Sequence, residues 1–217
     1  MGIQANSELQ ALMAAASQLP PENSLRPHTY ATLLGLLYST GIRIGEASAL
    51  NLEDLHIAAK RLYIAEGKFR KARWVPLSDS TSQALQQYMG KRSQMTPRLP
   101  DSPLFINQRS RRLHHCTVNQ TFRHLLRQCN IHHNKHTGPR IHDIRHTFAV
   151  HKLLAWYRDG HDVNARLPWL ATYMGHVDIH STQVYLRATP ELIEQVHRRF
   201  HNHYLHNVYD FMRFFSF

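Results

Sequence analysis

The spacing of apolar residues along the chain predicts a mainly helical protein. Apolar side chains recur three and four positions apart, which places them on one face of an α-helix. In the second predicted helix Leu33, Leu34, Leu36 and Leu37 supply a broad buried face, and Gly41 ends it. The predicted helices run approximately over Ser7 to Gln18, Pro27 to Ser39, Ile42 to Leu50, Ser80 (as N-cap) to Arg92, Val118 to Cys129, His142 to Arg158, Leu167 to Met174, His180 to Leu186 and Pro190 to Asn202.

Between the third and fourth predicted helices the pattern changes to short runs of β-branched and aromatic residues. The runs Leu55 to Ile57, Arg61 to Ala65 and Arg73 to Leu77 predict three antiparallel strands. Residues 66–72 join the last two strands and include three basic side chains, so we expect a hairpin tip that reaches into a groove. The predicted fold class is therefore mainly α with a small three-stranded antiparallel β-sheet.

The charge of the chain favours a polyanionic partner. Lys and Arg number 26 against 15 Asp and Glu, which gives a formal charge of +11 with His neutral. Between Arg109 and Arg145 there are eight Lys or Arg and seven His, but a single acid, Asp143. Such a stretch is either a solvated helix face or a surface that contacts nucleic-acid phosphates, and composition does not distinguish the two.

The lack of a recognisable targeting signal and the low cysteine content predict a cytoplasmic protein. Residues 1–16 contain Glu8 and lack the basic and apolar regions of a signal peptide, and no apolar run is long enough to span a membrane. The two cysteines, Cys116 and Cys129, suit a reducing compartment. We expect no contact with a membrane.

Several residues match the parts needed to break a phosphodiester without a metal. That reaction requires a nucleophile, cations that stabilise charge on the phosphorus, and an acid for the leaving oxygen. Arg43 follows the helix-ending Gly41, and Glu46 lies one turn further on, where it can hold the guanidinium. Further along the chain come His142 and Arg145 at i and i+3, then Gly175-His176, then Tyr185.

In these motifs the chain resembles the catalytic domain of the tyrosine recombinases, the integrase and Xer-like family, over roughly residues 7–200. The resemblance implies the tyrosine recombinase catalytic-domain fold and site-specific cleavage and rejoining of DNA through a 3′-phosphotyrosyl intermediate. The hairpin lysine is matched by its position before Trp74-Val75-Pro76-Leu77. The family's catalytic set falls, in order, on Arg43, Lys68, His142, Arg145, His176 and Tyr185.

The resemblance also implies a role for each residue. Arg43 and Arg145 clamp the scissile phosphate, where a planar guanidinium fits the oxygens better than an ammonium, and His176 adds a donor. Tyr185 is the nucleophile and His142 assists its proton transfer. Lys68 protonates the 5′-hydroxyl leaving group. No cofactor and no metal are expected.

The resemblance extends to partners and domain organisation. The expected partner is double-stranded DNA, with self-association from dimer to tetramer on it. We expect residues 1–200 to form the catalytic domain, residues 201–217 an aromatic C-terminal tail, and an N-terminal core-binding domain to be absent. The tail either packs on its own domain or docks onto a partner subunit.

Other interpretations of the sequence remain open. Lys71 replaces Lys68 if the hairpin register shifts, and His114, His115 and Cys116, with Cys129 and the His132-His133 pair, could hold a structural zinc. Taken singly, the candidate catalytic residues fit ordinary capping or packing roles. A topoisomerase or hairpin telomere resolvase shares the tyrosine chemistry. The alternative from another class is a catalytically weak or inactive DNA-binding remnant of a mobile element.

Overall fold

A computed structural model of the chain describes residues 6–65, 72–97, 99–131 and 138–175. Within these residues the chain forms seven helices and one small antiparallel sheet, which confirms the predicted fold class. The hairpin tip at 66–71 and the predicted helices after residue 175 lie outside the described residues. The elements are α1 (Asn6–Ala16), α2 (Leu25–Thr40), α3 (Ile44–Ala49), β1 (Leu55–His56), β2 (Arg61–Ile64), β3 (Arg73–Pro76), α4 (Asp79–Arg92), α5 (His115–Gln128), α6 (Asp143–Arg158) and α7 (Val163–Met174).

The sheet has the order β1-β2-β3 and is antiparallel throughout, as predicted. Its inner face buries Leu62, Ile64 and Val75, whereas Trp74 on the outer face is 45% exposed. Side chains alternate between faces along a strand, so Arg73 shares the inner face with Val75. Arg73 is therefore a charged residue on the buried face of the sheet, and it forms part of the candidate site.

A single hydrophobic core joins α1, α2, α4, α5 and the inner face of the sheet. The four leucines predicted for α2 lie within it, each no more than 2% exposed. The hydroxyl of the buried Tyr88 is paired in this core: it donates to the Leu104 carbonyl at 3.2 Å and accepts from the Ile106 amide at 3.3 Å. The core therefore fixes α2, whose C-terminal end leads into the candidate site.

The described residues fall into two compact units. One holds residues up to 148 together with 173–175, and the other holds 149–172. The core described above and the candidate site described below belong to the first unit. Within the second unit, the Arg166 guanidinium lies 5.6 Å from the centre of the Trp156 ring.

Two helix starts differ from the prediction because their N-cap residues are not the ones that the pattern indicated or made visible. The N-cap of α4 is Ser78 and not Ser80: the Ser78 hydroxyl accepts from the Thr81 amide at 3.2 Å. Helix α5 begins at His115, earlier than predicted, because the His114 ring accepts the Cys116 amide at 3.3 Å and so acts as its N-cap. Histidine is not among the preferred N-cap residues, so this start was not visible in the pattern.

The start of α7 was also predicted too late. Pro168 lies inside this helix, and a proline normally occupies the first turn because it lacks an amide hydrogen. The predicted start was Leu167, which would place this proline in the first turn. The actual start at Val163 is supported by Asp162, whose carboxylate accepts the Ala165 amide at 3.2 Å.

Among the described residues, every helix is too short or too polar to cross a membrane.

Gly41 ends α2 in the way the sequence predicts. Its φ of 62° is left-handed, and its amide donates to the Leu37 carbonyl at 2.9 Å. A Cβ at this position would overlap the Phe148 ring. Position 41 therefore requires glycine both for its backbone conformation and for the close approach of Phe148.

We predict that Gly41→Ala lowers the free energy of unfolding by about 2–4 kcal/mol, because left-handed strain adds to a steric clash. Chemical denaturation measures this directly. The matched control is Gly90→Ala in α4, where a Cβ meets nothing within 4 Å. Removing a helix-interior glycine there should stabilise the protein by up to about 1 kcal/mol. Equal effects of the two substitutions would contradict the role assigned to Gly41.

Candidate active site

Arg43 occupies the turn between α2 and α3, where it is the N-cap of α3. The predicted helix from Ile42 begins two residues later, because the chain leaves the left-handed Gly41 in an extended conformation. The Arg43 amide donates to Glu46 Oε2 at 2.9 Å, and its Nη1 donates to Glu46 Oε1 at 2.9 Å. This confirms the expectation that Glu46 holds the Arg43 guanidinium.

Arg145 lies in the first turn of α6 and is only 2% exposed. Its Nη1 donates to the Gly41 carbonyl, and its Nη2 donates to the Met174 carbonyl at 2.6 Å. A buried cation is tolerated only where polar partners replace its hydration. The two carbonyls replace part of its hydration and, because they carry no formal charge, do not neutralise Arg145.

The two arginines converge on the C-terminal end of α7. Arg43 Nη2 donates to the Gly175 carbonyl at 3.0 Å, across 132 positions of sequence, and Arg145 donates to Met174, the preceding residue. Carbonyls at a helix C-terminus lack intrahelical partners and carry partial negative charge, so they accept guanidinium groups well. The residue that follows this pair of carbonyls is His176.

Glu46 is a buried carboxylate shared between two guanidinium groups. Besides Arg43 it binds Arg73, whose Nη1 and Nη2 donate to its two oxygens at 3.0 and 2.8 Å. Burial alone would raise the pKa of Glu46, but the hydrogen bonds from Arg73 and Arg43 outweigh it and hold the pKa below the usual glutamate value. Glu46 is therefore ionised at neutral pH.

Sequence reasoning missed Arg73 as part of this site. Its Nε donates to the Tyr173 carbonyl at 3.0 Å, so Arg73 also contacts the end of α7. A signal was present, because the alternation in β3 places Arg73 on the same face as Val75 and a buried arginine needs an acidic partner. The pattern does not say which acid that is.

His142 immediately precedes α6, one turn before Arg145. The Arg145 amide donates to the His142 carbonyl at 3.1 Å, and the His142 side chain remains accessible to solvent. Partial desolvation lowers the pKa of His142, and Arg145, Arg43 and Arg140 lower it further against the opposing effect of Asp143. The ring is neutral at pH 7, the state in which it can accept a proton.

Comparison with known proteins shows the family to which the chain belongs. A model described as "Phage integrase family" matches residues 5–191. The chain belongs to the phage integrase family. A protein of Sinorhizobium fredii named as an integrase/recombinase, y4rB, is 40% identical over 197 residues, which cover 88% of this chain and 63% of y4rB.

Solved structures of integrase-family recombinases share the fold. The crystal structure of the XerA recombinase matches with a TM-score of 0.71 at 22% identity, covering 92% of this chain and 65% of XerA. XerH bound to palindromic difH substrate, a post-cleavage complex, matches with a TM-score of 0.68 at 19% identity, covering 90% of this chain and 52% of XerH. The chain thus spans less than two thirds of the length of these relatives.

Of the six catalytic residues predicted for this integrase-family chain, the described residues include three. Arg43, His142 and Arg145 lie around the α2–α3 turn and the start of α6, as set out above. Lys68, His176 and Tyr185, like the alternative Lys71, lie outside the described residues, and their roles remain predictions.

The described residues test whether His114, His115 and Cys116 could hold a zinc ion. The ligand atoms of His114, His115 and Cys116 lie within 4.8 Å of one another, and all three residues are exposed. However, His114 Nδ1 accepts the Cys116 amide, so a neutral ring carries its proton on Nε2. Metal ligation by His114 would therefore break the cap of α5. His132 and His133 lie outside the described residues.

Not every cation in the basic stretch from Arg109 to Arg145 is available to phosphate. Arg112 Nη1 donates to the carbonyls of Ser48 and Ala49 at 2.9 and 2.6 Å, and its Nη2 donates to Asn51 Oδ1 at 2.6 Å. Arg112 thus caps the C-terminal end of α3, the helix that carries Glu46. Arg112, although exposed, is thus engaged by protein groups, and the rest of the stretch remains a candidate DNA surface.

We predict that Glu46→Gln lowers the free energy of unfolding of this integrase-family protein by about 2–4 kcal/mol at pH 7, because two guanidinium groups lose their buried counter-ion. Folding lowers the pKa of Glu46, so its stabilisation is complete above the unfolded value of 4.5 and is lost as pH falls through the folded pKa. Denaturant titrations at pH 7 and pH 3 compare the two proteins.

The exposed Glu53, which follows α3, provides the control, and Glu53→Gln should change stability by less than about 0.5 kcal/mol. A Glu46→Gln effect equal at pH 7 and pH 3 would show that the carboxylate charge contributes nothing.

Proposed function

We propose that this chain is the strand-cutting and strand-joining domain of a site-specific DNA recombinase. The observation that supports this most is the convergence of Arg43 and Arg145 on the consecutive carbonyls of Met174 and Gly175. Residues from distant parts of the sequence thereby assemble a cationic site directly before His176. A phosphate diester is the substrate class that fits such a site.

In the proposed reaction the phenolic oxygen of Tyr185 attacks the scissile phosphorus and forms a 3′-phosphotyrosyl bond. The bond from phosphorus to the 5′-oxygen breaks in the same step. His142 accepts the phenolic proton, and Lys68 donates a proton to the departing 5′-oxygen, so the proton count balances. Reversal on a second strand rejoins the DNA without an external energy source.

The charges of the described residues suit this chemistry. Three guanidinium groups, those of Arg43, Arg73 and Arg145, lie around the α7 end, and the described hydrogen bonds join one carboxylate, Glu46, to two of them, so this hydrogen-bonded set is net positive where phosphorane charge would develop. Among the described contacts, the Arg43 guanidinium uses two of its five N–H groups, on Glu46 and Gly175. The remaining donors can bind non-bridging phosphate oxygens.

Tyr173 is a second tyrosine near the cluster and a poorer nucleophile. It lies in the last turn of α7 and packs on Phe148, with ring centres 5.7 Å apart. Burial raises the pKa of Tyr173 to about 12, although Arg73 and Arg145 act against the rise. A phenol that resists ionisation this strongly does not suit attack on phosphorus, which favours Tyr185.

The proposed substrate is double-stranded DNA, and the proposed assembly is a dimer that pairs into a tetramer on it. The XerH relative is a post-cleavage complex with palindromic difH substrate, and a lambda integrase neighbour is a dimer bound to a core site. The catalytic domain over residues 1–200, the tail over residues 201–217 and action in the cytoplasm belong to the same proposal.

We predict that the protein forms a covalent complex with nicked DNA and that Tyr185→Phe abolishes it. The probe is a pool of nicked duplexes with a randomised core, in which loss of the short 5′-hydroxyl fragment traps the phosphotyrosyl intermediate. The adduct is measured by denaturing electrophoresis. Tyr38→Phe in α2 is the matched control and should retain the adduct.

DNA binding without any adduct from the wild-type protein would contradict the proposal and favour a non-catalytic DNA-binding protein. Arg43→Lys sharpens the test, because it keeps the charge but loses the planar pair of donors. We expect it to slow adduct formation by roughly a hundredfold, the cost of one transition-state donor.

A further inference from the structure

The carboxylate of Glu46 is fully occupied by four hydrogen bonds. Its Oε1 accepts from Arg43 Nη1 at 2.9 Å and Arg73 Nη1 at 3.0 Å. Its Oε2 accepts from the Arg43 amide at 2.9 Å and Arg73 Nη2 at 2.8 Å. Since a carboxylate oxygen has two lone pairs, both oxygens of Glu46 are saturated and the group cannot rotate towards another partner.

This sharing has an electrostatic consequence for Arg43. A carboxylate bound to a single guanidinium forms a neutral pair, and an approaching phosphate would meet little net charge. With Arg73 bound bidentately to the same carboxylate, two positive charges face one negative charge. Arg43 is then held in place by Glu46 without being neutralised by it.

Arg73 is placed where it can hold the Glu46 carboxylate. It is the first residue of β3, directly after the hairpin that contains Lys68, and its Nε donates to the Tyr173 carbonyl at 3.0 Å. Gly175 leaves room for it: φ at Gly175 is 66°, and a Cβ there would lie 3.1 Å from Arg73 Nη1. Arg73 thus links the start of β3 to Glu46 and to the end of α7.

We propose that Arg73 is a positioning residue for DNA cleavage, which holds Glu46 so that Arg43 keeps both its orientation and its positive charge for the scissile phosphate. The inference rests on the proposed function for its catalytic consequence. Arg73 acts through Glu46 and does not itself touch the phosphate. The geometry requires an arginine, since a lysine cannot bind both carboxylate oxygens and the Tyr173 carbonyl in one plane.

The test compares rates of covalent adduct formation on the pool of nicked duplexes described above. We expect Arg73→Met to slow adduct formation by roughly tenfold or more, because Glu46 then neutralises Arg43. Arg73→Lys should restore only part of the rate. Arg26→Met is the matched control and should keep the wild-type rate, since Arg26 donates instead to the Pro20 carbonyl in the α1–α2 turn.

The decisive variant is the double substitution Arg73→Met with Glu46→Gln. Removing the carboxylate charge should return the positive charge to Arg43, so the double variant should cleave faster than Arg73→Met alone. If Arg73 only held Glu46 in place and did not affect the charge of Arg43, the double variant should cleave more slowly than Arg73→Met. The reason is that a second substitution in a buried network adds to the effect of the first. Equal or slower cleavage by the double variant, or a wild-type rate for Arg73→Met, would overturn the inference.

A second measurement keeps this inference separate from the proposed function. Carboxyl ¹³C NMR of labelled protein without DNA follows the Glu46 titration, with the resonance assigned by its loss in Glu46→Gln. We expect the pKa of Glu46 to rise in Arg73→Met and to stay unchanged in Arg26→Met. An unchanged Glu46 pKa in Arg73→Met would overturn the inference that Arg73 shares this carboxylate with Arg43. Absence of any adduct from the wild-type protein would instead contradict the proposed function.

Discussion

The site depends on one buried carboxylate that two arginines share. Glu46 lies on α3, whereas Arg43 precedes that helix and Arg73 begins β3, so the carboxylate joins three elements. Its burial is tolerated because four hydrogen bonds replace its lost water. Both arginines also donate to the end of α7, so the same interaction ties that end to α3 and β3.

Uncharged partners and a shared carboxylate leave the described site with a net positive charge. Arg145 is bound by the uncharged carbonyls of Gly41 and Met174, and Glu46 is divided between two guanidinium groups. Desolvation lowers the pKa of His142, and the charges of Arg145 and Arg43 lower it further. A neutral imidazole beside fixed cations is the arrangement that a tyrosine nucleophile needs for proton transfer near pH 7.

Much of the fold could be predicted because local signals and burial agree. The leucines of α2, its end at Gly41 and the three strands followed from periodicity and turn chemistry. The starts of α4, α5 and α7 were predicted too late: Ser78 and Asp162 are ordinary N-cap residues that were overlooked, whereas the cap at His114 has no usual sequence signal. The motif predicted the Arg43–Glu46 pair, but Arg73 was missed because its partner is distant in sequence.

The central claim is that Tyr185 becomes covalently attached to DNA in a site organised by Arg43 and Arg145. The most direct test is peptide mapping by mass spectrometry, after the protein has reacted with nicked DNA and the adduct has been trimmed with nuclease. The account predicts a nucleotide mass on the peptide that contains Tyr185, with fragment ions that locate it on that residue. A nucleotide on any other tyrosine, Tyr173 included, would contradict the account.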